Sequence, residues 1–367
     1  MAGRRVTANI SVGMSTTPSM KTRAARRGLC RATLADVAAA AGVTSITVSR
    51  YLREPHRVAA DTAATIARAL AATGYVPNKQ AGSLASAGAG ASRMVAALIP
   101  SIANSIFAET VQGLADGLAG SGCELLLAST AYSVEREEAQ LRALMGWFPS
   151  AIVVTGRRHT DGALALLRQA KARGTPVIEI WDHRPGRHEF VQIGFDHAEV
   201  GRAMAAHLIE RGHRRLVYVD SGVAEDFRAH ERGEGFMDEA RRARIPARRI
   251  VAPAAPESIE AGRLALPLLL DDRGSPAADA AAFANDHLAC GALLEASARR
   301  IAVPQTLALL GFGDFALGRQ LDPTLSTVQV PRLAIGQAAA AALRGVLEGR
   351  TAGDQRLPWA LAARQSS

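Results

Sequence analysis

The feature that most constrains the fold is a rhythm: from residue 92 onward, short β-rich apolar runs alternate with longer amphipathic stretches. MVAALIP, CELLLAS, AIVVTG and PVIEIW are separated by SIFAETVQGLADGLAGSG, EREEAQLRALMGW and GALALLRQAKARG. A second series, opening with FVQIGFD, continues through RRLVYVD, RIVAP, AAAFAN and LALLGFGD, with EVGRAMAAHLIERGH, RAHERGEGFMDEARRARI and DHLACGALLEASARR between them. Parallel strands need a crossover, usually helical, so this alternation predicts βαβ units and parallel sheets. Two successive series predict two similar α/β halves. Ligands of such sheets bind outside the carboxyl ends of the strands, which makes a cleft between the halves the natural site.

The 367 residues exceed what one hydrophobic core usually serves, so further units are expected. Residues 1–31 are polar and basic without periodicity and read as a flexible arm, residues 32–77 as a helical domain, 78–91 as a linker, and 92–367 as the core. Met14 and Met20 stand as alternative starts. The net charge is +9, and residues 1–79 hold all of it, with twelve Arg and Lys against Asp36, Glu54 and Asp61. Such clustering is an electrostatic footprint for nucleic acid, although a solvated tail would look the same. Cys30, Cys123 and Cys290 are too scattered for a disulfide framework or a zinc site, no secretory signal follows Arg4 and Arg5, and no apolar run approaches the ~20 residues of a membrane span. A cytoplasmic, nucleoid-associated protein without membrane contact is expected.

In ATLADVAAAAGVTSITVSRYL, Thr33 is placed to cap a first helix with Leu34, Val37 and Ala38 turned inward. Gly42 permits a tight turn, and Thr44 caps a second helix whose Val48 faces the core. This is helix-turn-helix spacing, which an ordinary helical hairpin also shows. The polar edge argues for the former: the hydroxyls of Ser45, Thr47 and Ser49 suit phosphates and base edges, and Arg50 suits a guanine or a phosphate. A third helix, DTAATIARALAATG, should end at Gly74.

TLADVAAAAGVTSITVSRYL, followed by RVAADT, GYVPN and AGSLAS, resembles the head and hinge of the LacI family of repressors, and the paired βαβ halves extend the likeness over nearly the whole chain. The resemblance implies a small all-α helix-turn-helix head plus hinge helix, then a two-subdomain α/β periplasmic-binding-protein-like (type I) core. It puts Thr33, Thr44, Ser45, Ile46, Thr47, Ser49 and Arg50 at the interface with double-stranded operator DNA, with Ser45 and Ile46 at base-reading positions. Ile46 offers no hydrogen bond, which leaves it the thymine methyl. Asn78 would cap the hinge helix, Ala81 and Leu84 would form its apolar face, and Leu84 falls where the family places a leucine that wedges into the minor groove. A linker leucine touching its own domain is the alternative.

In the core, ALIPSIANSIFAE resembles the family's opening strand, loop and helix, which puts Ser101, Asn104 and Phe107 near the cleft mouth; Phe107 also suits a core. RAHERGEGF resembles the segment whose arginine grips a sugar, here Arg232, and AAFANDHLACGAL the one that supplies an effector-binding aspartate, here Asp286. A surface ion pair and a helix cap are their alternatives. Glu179, Asp182 and Phe315 are further candidates at strand ends, where loop and core roles serve equally well. TGRRHT, PVIEIWD and GFGDFALGRQLDPTLSTVQVP resemble the branch containing gluconate-operon repressors. Arg157, Arg158, His159, Arg232 and His287 favour an anionic sugar acid over a neutral sugar, whereas Glu179, Asp182 and Asp286 oppose it.

Phosphate-loop, nucleophile-elbow and zinc-protease motifs are absent from the sequence, so neither catalysis nor a metal or cofactor is expected. A sugar kinase with a DNA-binding head and an uptake binding protein are the competing readings. Two heads reading half-sites ~34 Å apart require a homodimer. Inducer and corepressor modes both remain open.

Overall fold

Thr33 opens the head with a reciprocal cap: its hydroxyl accepts from the Asp36 amide at 3.3 Å, and the Asp36 carboxylate accepts from the Thr33 amide at 2.7 Å. Two of the orphan donors of a helix start are thereby satisfied. Helix α1 (Leu34–Ala41) stops at Gly42, whose φ of 65° lies in the left-handed region that favours glycine. Thr44 caps α2 (Ser45–Arg53), and α3 (Ala60–Thr73) ends at Gly74, as predicted. Val37, Ala38, Ala41, Val48, Ile66 and Ala69 are the buried centre of this unit, with half-buried Leu34 packed against them. The computed structural model describes residues 32–75, 93–102 and 105–367. The expected arm and hinge, with Cys30, Asn78, Ala81, Leu84 and Asn104, lie outside the described residues.

The chain divides into two compact units, with the boundary between residues 91 and 92. The second unit contains two six-stranded sheets. The first takes β1 (Arg93–Ile99), β2 (Cys123–Ser129), β3 (Ala151–Thr155), β4 (Val177–Ile180), β5 (Val191–Gly194) and β11 (Gln355–Arg356), in the order β11-β5-β4-β3-β1-β2. The second takes β6 (Leu216–Asp220), β7 (Ala247–Val251), β8 (Ala280–Phe283), β9 (Ala308–Phe312), β10 (Ser326–Gln329) and β12 (Ala360–Ala362), in the order β12-β10-β9-β8-β6-β7. All pairings are parallel except β10 with β12. Strands β3, β4, β6, β8 and β9 are buried throughout, which is why they read as continuous rather than alternating apolar runs.

Helices α4 (Ser105–Leu118), α5 (Val134–Met145) and α6 (Asp161–Ala172) flank the first sheet. Helices α7 (His197–Glu210), α8 (Phe227–Arg242), α9 (Ser258–Ala265) and α10 (Asp286–Ala298) belong to the second half, whereas α11 (Arg332–Leu347) returns to pack on α4. The chain therefore passes between the halves after β5, after β10 and between β11 and β12. FVQIGFD departs from expectation. Read as the opening of the second half, it instead supplies β5 of the first sheet, where Val191 pairs with Ile178. The boundary falls after that strand because the next helix, α7, packs on α8 rather than on its own strand's sheet.

Candidate functional site

On the head, α2 divides its residues cleanly. Val48 is fully buried, while Ile46 is 71% exposed and Arg50 is exposed. Ser45, Thr47 and Ser49 are half-buried along the same helix. The Thr44 hydroxyl lies 2.9 Å from that of Thr47 and accepts from the Thr47 amide, so the cap also fixes the start of this face. Ile46, beside an arginine and hydroxyls, thus lies outside the head's core.

In the core, the strand ends of the two halves enclose two small adjoining cavities of about 30 Å³ each that share Tyr132 and Arg228. The inner one is lined by Phe107, Trp181, His197, Arg232, Asn285 and Phe312, among others. Arg232, only 4% exposed, donates to the Ala284 carbonyl at 2.7 Å and to His197 Nδ1 at 2.9 Å, and its guanidinium lies 3.8 Å from the Phe312 ring centre. His197 Nε2 lies 2.9 Å from the Trp181 carbonyl and donates to it. Burial first, then Arg232 and Arg228, push the His197 pKa well below its ordinary value, so the ring is neutral with its proton on Nε2. Trp181 has a φ of 74°, a left-handed conformation that costs a non-glycine residue about 1–3 kcal/mol and clusters at functional sites. Its buried Nε1, like Arg232 Nε, has no hydrogen-bond partner within the protein. Buried donors of this kind ordinarily find a partner, and two of them line one cavity.

The outer cavity is lined by Glu137, Gly156, Arg157, Arg158, Asp182 and Glu231, among others. Gly156, at φ 92°, admits no side chain: a Cβ would stand 2.7 Å from Arg228 Nη1 and 3.3 Å from Asp182 Oδ2. Burial pushes the Asp182 carboxyl up to about 6, with Arg228 opposing and Glu231 reinforcing the shift. Behind this wall, His159 Nδ1 lies 2.5 Å from Glu137 Oε1, and Nε2 lies 3.5 Å from Glu179. Glu179 also accepts from Gln192 at 2.8 Å. Burial would lower the His159 pKa, but the two carboxylates override it and raise it to about 9, which makes the ring a cation at neutral pH. Glu231, on α8, accepts from Arg157 and lies 3.4 Å from Arg158 and 3.0 Å from Arg184.

The structure thus brings Phe107, Asp182 and Arg232 to the cleft, along with Arg157 and Arg158. It does not bring Glu179, Asp286 or Phe315 to either cavity. Glu179 stands behind the wall. Asp286 accepts from Thr327 Oγ1 at 2.5 Å and from the Phe315 amide at 2.7 Å, and Asn285, not Asp286, caps α10. The Phe315 ring packs on His287 at 4.6 Å, away from the cavities, and Ser101 lies half-buried just beyond β1. Sequence reasoning missed Trp181, Arg184, His197, Arg228 and Glu231. A signal existed for two of them: Arg228 is one helical turn before Arg232, and Trp181 lies between Glu179 and Asp182. Among the described residues, no group of His, Cys, Asp and Glu is arranged to hold a metal ion, and no helix is long and apolar enough to cross a membrane.

A helix-turn-helix unit joined to two parallel-sheet halves around a cleft defines a DNA-binding transcription regulator with a periplasmic-binding-protein-like domain. Residues 33–78 match the sequence profile of the bacterial regulatory proteins of the lacI family, and residues 205–367 match that of the periplasmic binding protein-like domain. The HTH-type transcriptional regulator GntR of Pseudomonas aeruginosa is 37% identical over 341 residues, 92% of this chain and 96% of the relative. IdnR of Escherichia coli K12, also an HTH-type transcriptional regulator, is 31% identical over 312 residues, 84% of this chain and 90% of its own. A LacI-family transcriptional regulator from Silicibacter pomeroyi superposes with a TM-score of 0.82 at 31% identity, covering 91% of this chain and 99% of that one. The chain belongs to the lacI family of bacterial regulatory proteins.

Proposed function

We propose that this regulator is a homodimeric repressor whose hold on operator DNA is set by a sugar acid of the gluconate kind bound in the cleft. The observation that carries this reading is the inner cavity, where Arg232 is locked by His197, Ala284 and Phe312 while its Nε and Trp181 Nε1 have no protein partner. A guanidinium held this rigidly receives ligand hydroxyls and loses little entropy on binding, while Arg157 and Arg158 of the adjoining cavity suit the acid's carboxylate. Asp182 then accepts from ligand hydroxyls, and Phe107 packs against the carbon chain. Glu179, Asp286 and Phe315 serve as supports, the first through His159 and the others through each other.

On the head, Ser45 and Ile46 read base edges, Arg50 docks in the major groove, Thr33, Thr44, Thr47 and Ser49 meet the phosphates, and Asn78, Ala81 and Leu84 form the hinge wedge. Two heads on a dimer address the halves of a near-palindrome. Ligand closing the cleft shifts the populations of the two arrangements of the halves, and with them operator affinity. The likeness to gluconate-operon repressors and the relatives named GntR and IdnR support the choice of acid.

The test is calorimetric titration of the full-length protein with D-gluconate, followed by an operator mobility shift with and without it. Binding that moves the shift in either direction supports the reading and decides between inducer and corepressor. A purine that binds where sugar acids do not overturns it.

A further inference from the structure

Glu231 occupies an unusual position. It sits on α8 of the second half, next to Arg232, and its carboxylate faces three arginines of the first half: Arg157, Arg158 and Arg184. The side chain of Glu231 is 11% exposed, whereas those of Arg157, Arg158 and Arg184 are 27%, 52% and 36% exposed. The acid is the enclosed partner, and the bases form its rim. Other contacts cross the same rim: the Arg158 guanidinium lies 4.7 Å from the Phe227 ring centre, and the Val134 amide donates to Glu225 at 3.2 Å. The halves are thus tied at the mouth of the outer cavity, with Glu231 at the centre of the tie.

A carboxylate offers about four lone-pair sites, while each guanidinium carries five N–H donors in a fixed fork. Three guanidiniums around one carboxylate therefore hold more donors than Glu231 satisfies: Arg157 Nε, 4.0 Å from Asp182, is buried without a hydrogen-bond partner, and Arg157 and Arg158 line the cavity together with Glu231. A second carboxylate fits that surplus. It also competes with Glu231, because like charges sharing one cationic site disfavour each other.

We infer that Glu231 is a built-in stand-in for the effector's carboxylate: it latches the two halves in the absence of ligand, and an acidic effector binds by taking over part of its share of Arg157, Arg158 and Arg184. The identity of the acid rests on the proposed function above; the latch does not. Glu231 sets specificity as well, since a neutral polyol has no carboxylate to exchange and gains nothing when Glu231 is removed.

The test uses the full-length chain and Glu231→Gln, which keeps the shape of the side chain and removes its charge. Without ligand, the variant is expected to show faster amide exchange over residues 156–160 and 225–232 than the wild type. With D-gluconate, calorimetry is expected to give binding about tenfold tighter than wild type, and D-glucitol binding is expected to be unchanged. Unchanged exchange overturns the latch, and gluconate affinity equal to or weaker than wild type overturns the competition. Arg158→Gln, at an exposed position, is a second check: it must loosen the same segments, and exchange equal to wild type counts against the latch. If no sugar acid binds either protein, the proposed function fails while the exchange result still decides the latch.

Discussion

The head and the core place their function at opposite ends of the burial scale. In the head, six small or medium apolar residues hold three helices together, and Ile46, the residue proposed to read DNA, is 71% exposed. In the core, Arg232 is 4% exposed and held on several sides before any ligand arrives. The difference teaches where stability and function couple. A reader on an exposed helix face can be exchanged without touching the fold, whereas a preorganised buried receptor cannot be changed without unsettling its supports.

That contrast is broken or sharpened by a graded series. Arg232→Ala removes a charged hydrogen bond to Ala284, the contact with His197 and the stacking on Phe312, and is expected to cost the core about 4 kcal/mol in urea unfolding. A loss below about 1 kcal/mol would show the receptor to be decoupled from the fold, as in the head.

Next comes pH. His159 has a folded pKa raised to about 9, so its stabilising contribution is complete below the ordinary value of 6.5 and disappears as pH rises through 9. Up to about 3 kcal/mol of core stability should be lost across that window, and His159→Gln should flatten the profile. A wild-type profile already flat between pH 7 and 9.5 would remove the buried cation from the account.

The head responds on a smaller scale. Val48→Ala empties space at the centre of its small core and is expected to cost about 2 kcal/mol, read as faster amide exchange across α1 to α3. Thr33→Ala removes the reciprocal cap and should cost about 1 kcal/mol by the same measurement. Ile46→Ala closes the series with a stability change within about 0.5 kcal/mol but operator affinity reduced about fivefold. A head that unfolds when Ile46 is trimmed would erase the contrast.

Much of this was legible in the sequence, for reasons that individual residues make plain. Thr33, Gly42, Thr44 and Gly74 mark helix ends through local chemistry, a hydroxyl one turn from an amide or a glycine at positive φ, and all four do so in the structure. The strands were legible because burial on both faces leaves unbroken apolar runs. FVQIGFD was assigned to the wrong half because a strand's periodicity carries no record of which sheet it joins. Asp286 is the opposite case, a residue whose neighbours in sequence suggest a ligand contact while Thr327 and the Phe315 amide occupy its oxygens in space.

The sequence by itself determined the class of this protein, because caps, periodicity and charge clustering are encoded within a few residues of one another. All nine units of net positive charge precede residue 80, and the βαβ rhythm follows it. Only the tertiary structure decided the character of the cleft. Glu231 faces Arg157, Arg158 and Arg184 from the opposite half, and Trp181 meets His197 across the turn into α7. Whether a charged side chain is a solvated surface group or part of a buried receptor depends on dielectric and on partners distant in the chain. Strand ends brought together by folding set both.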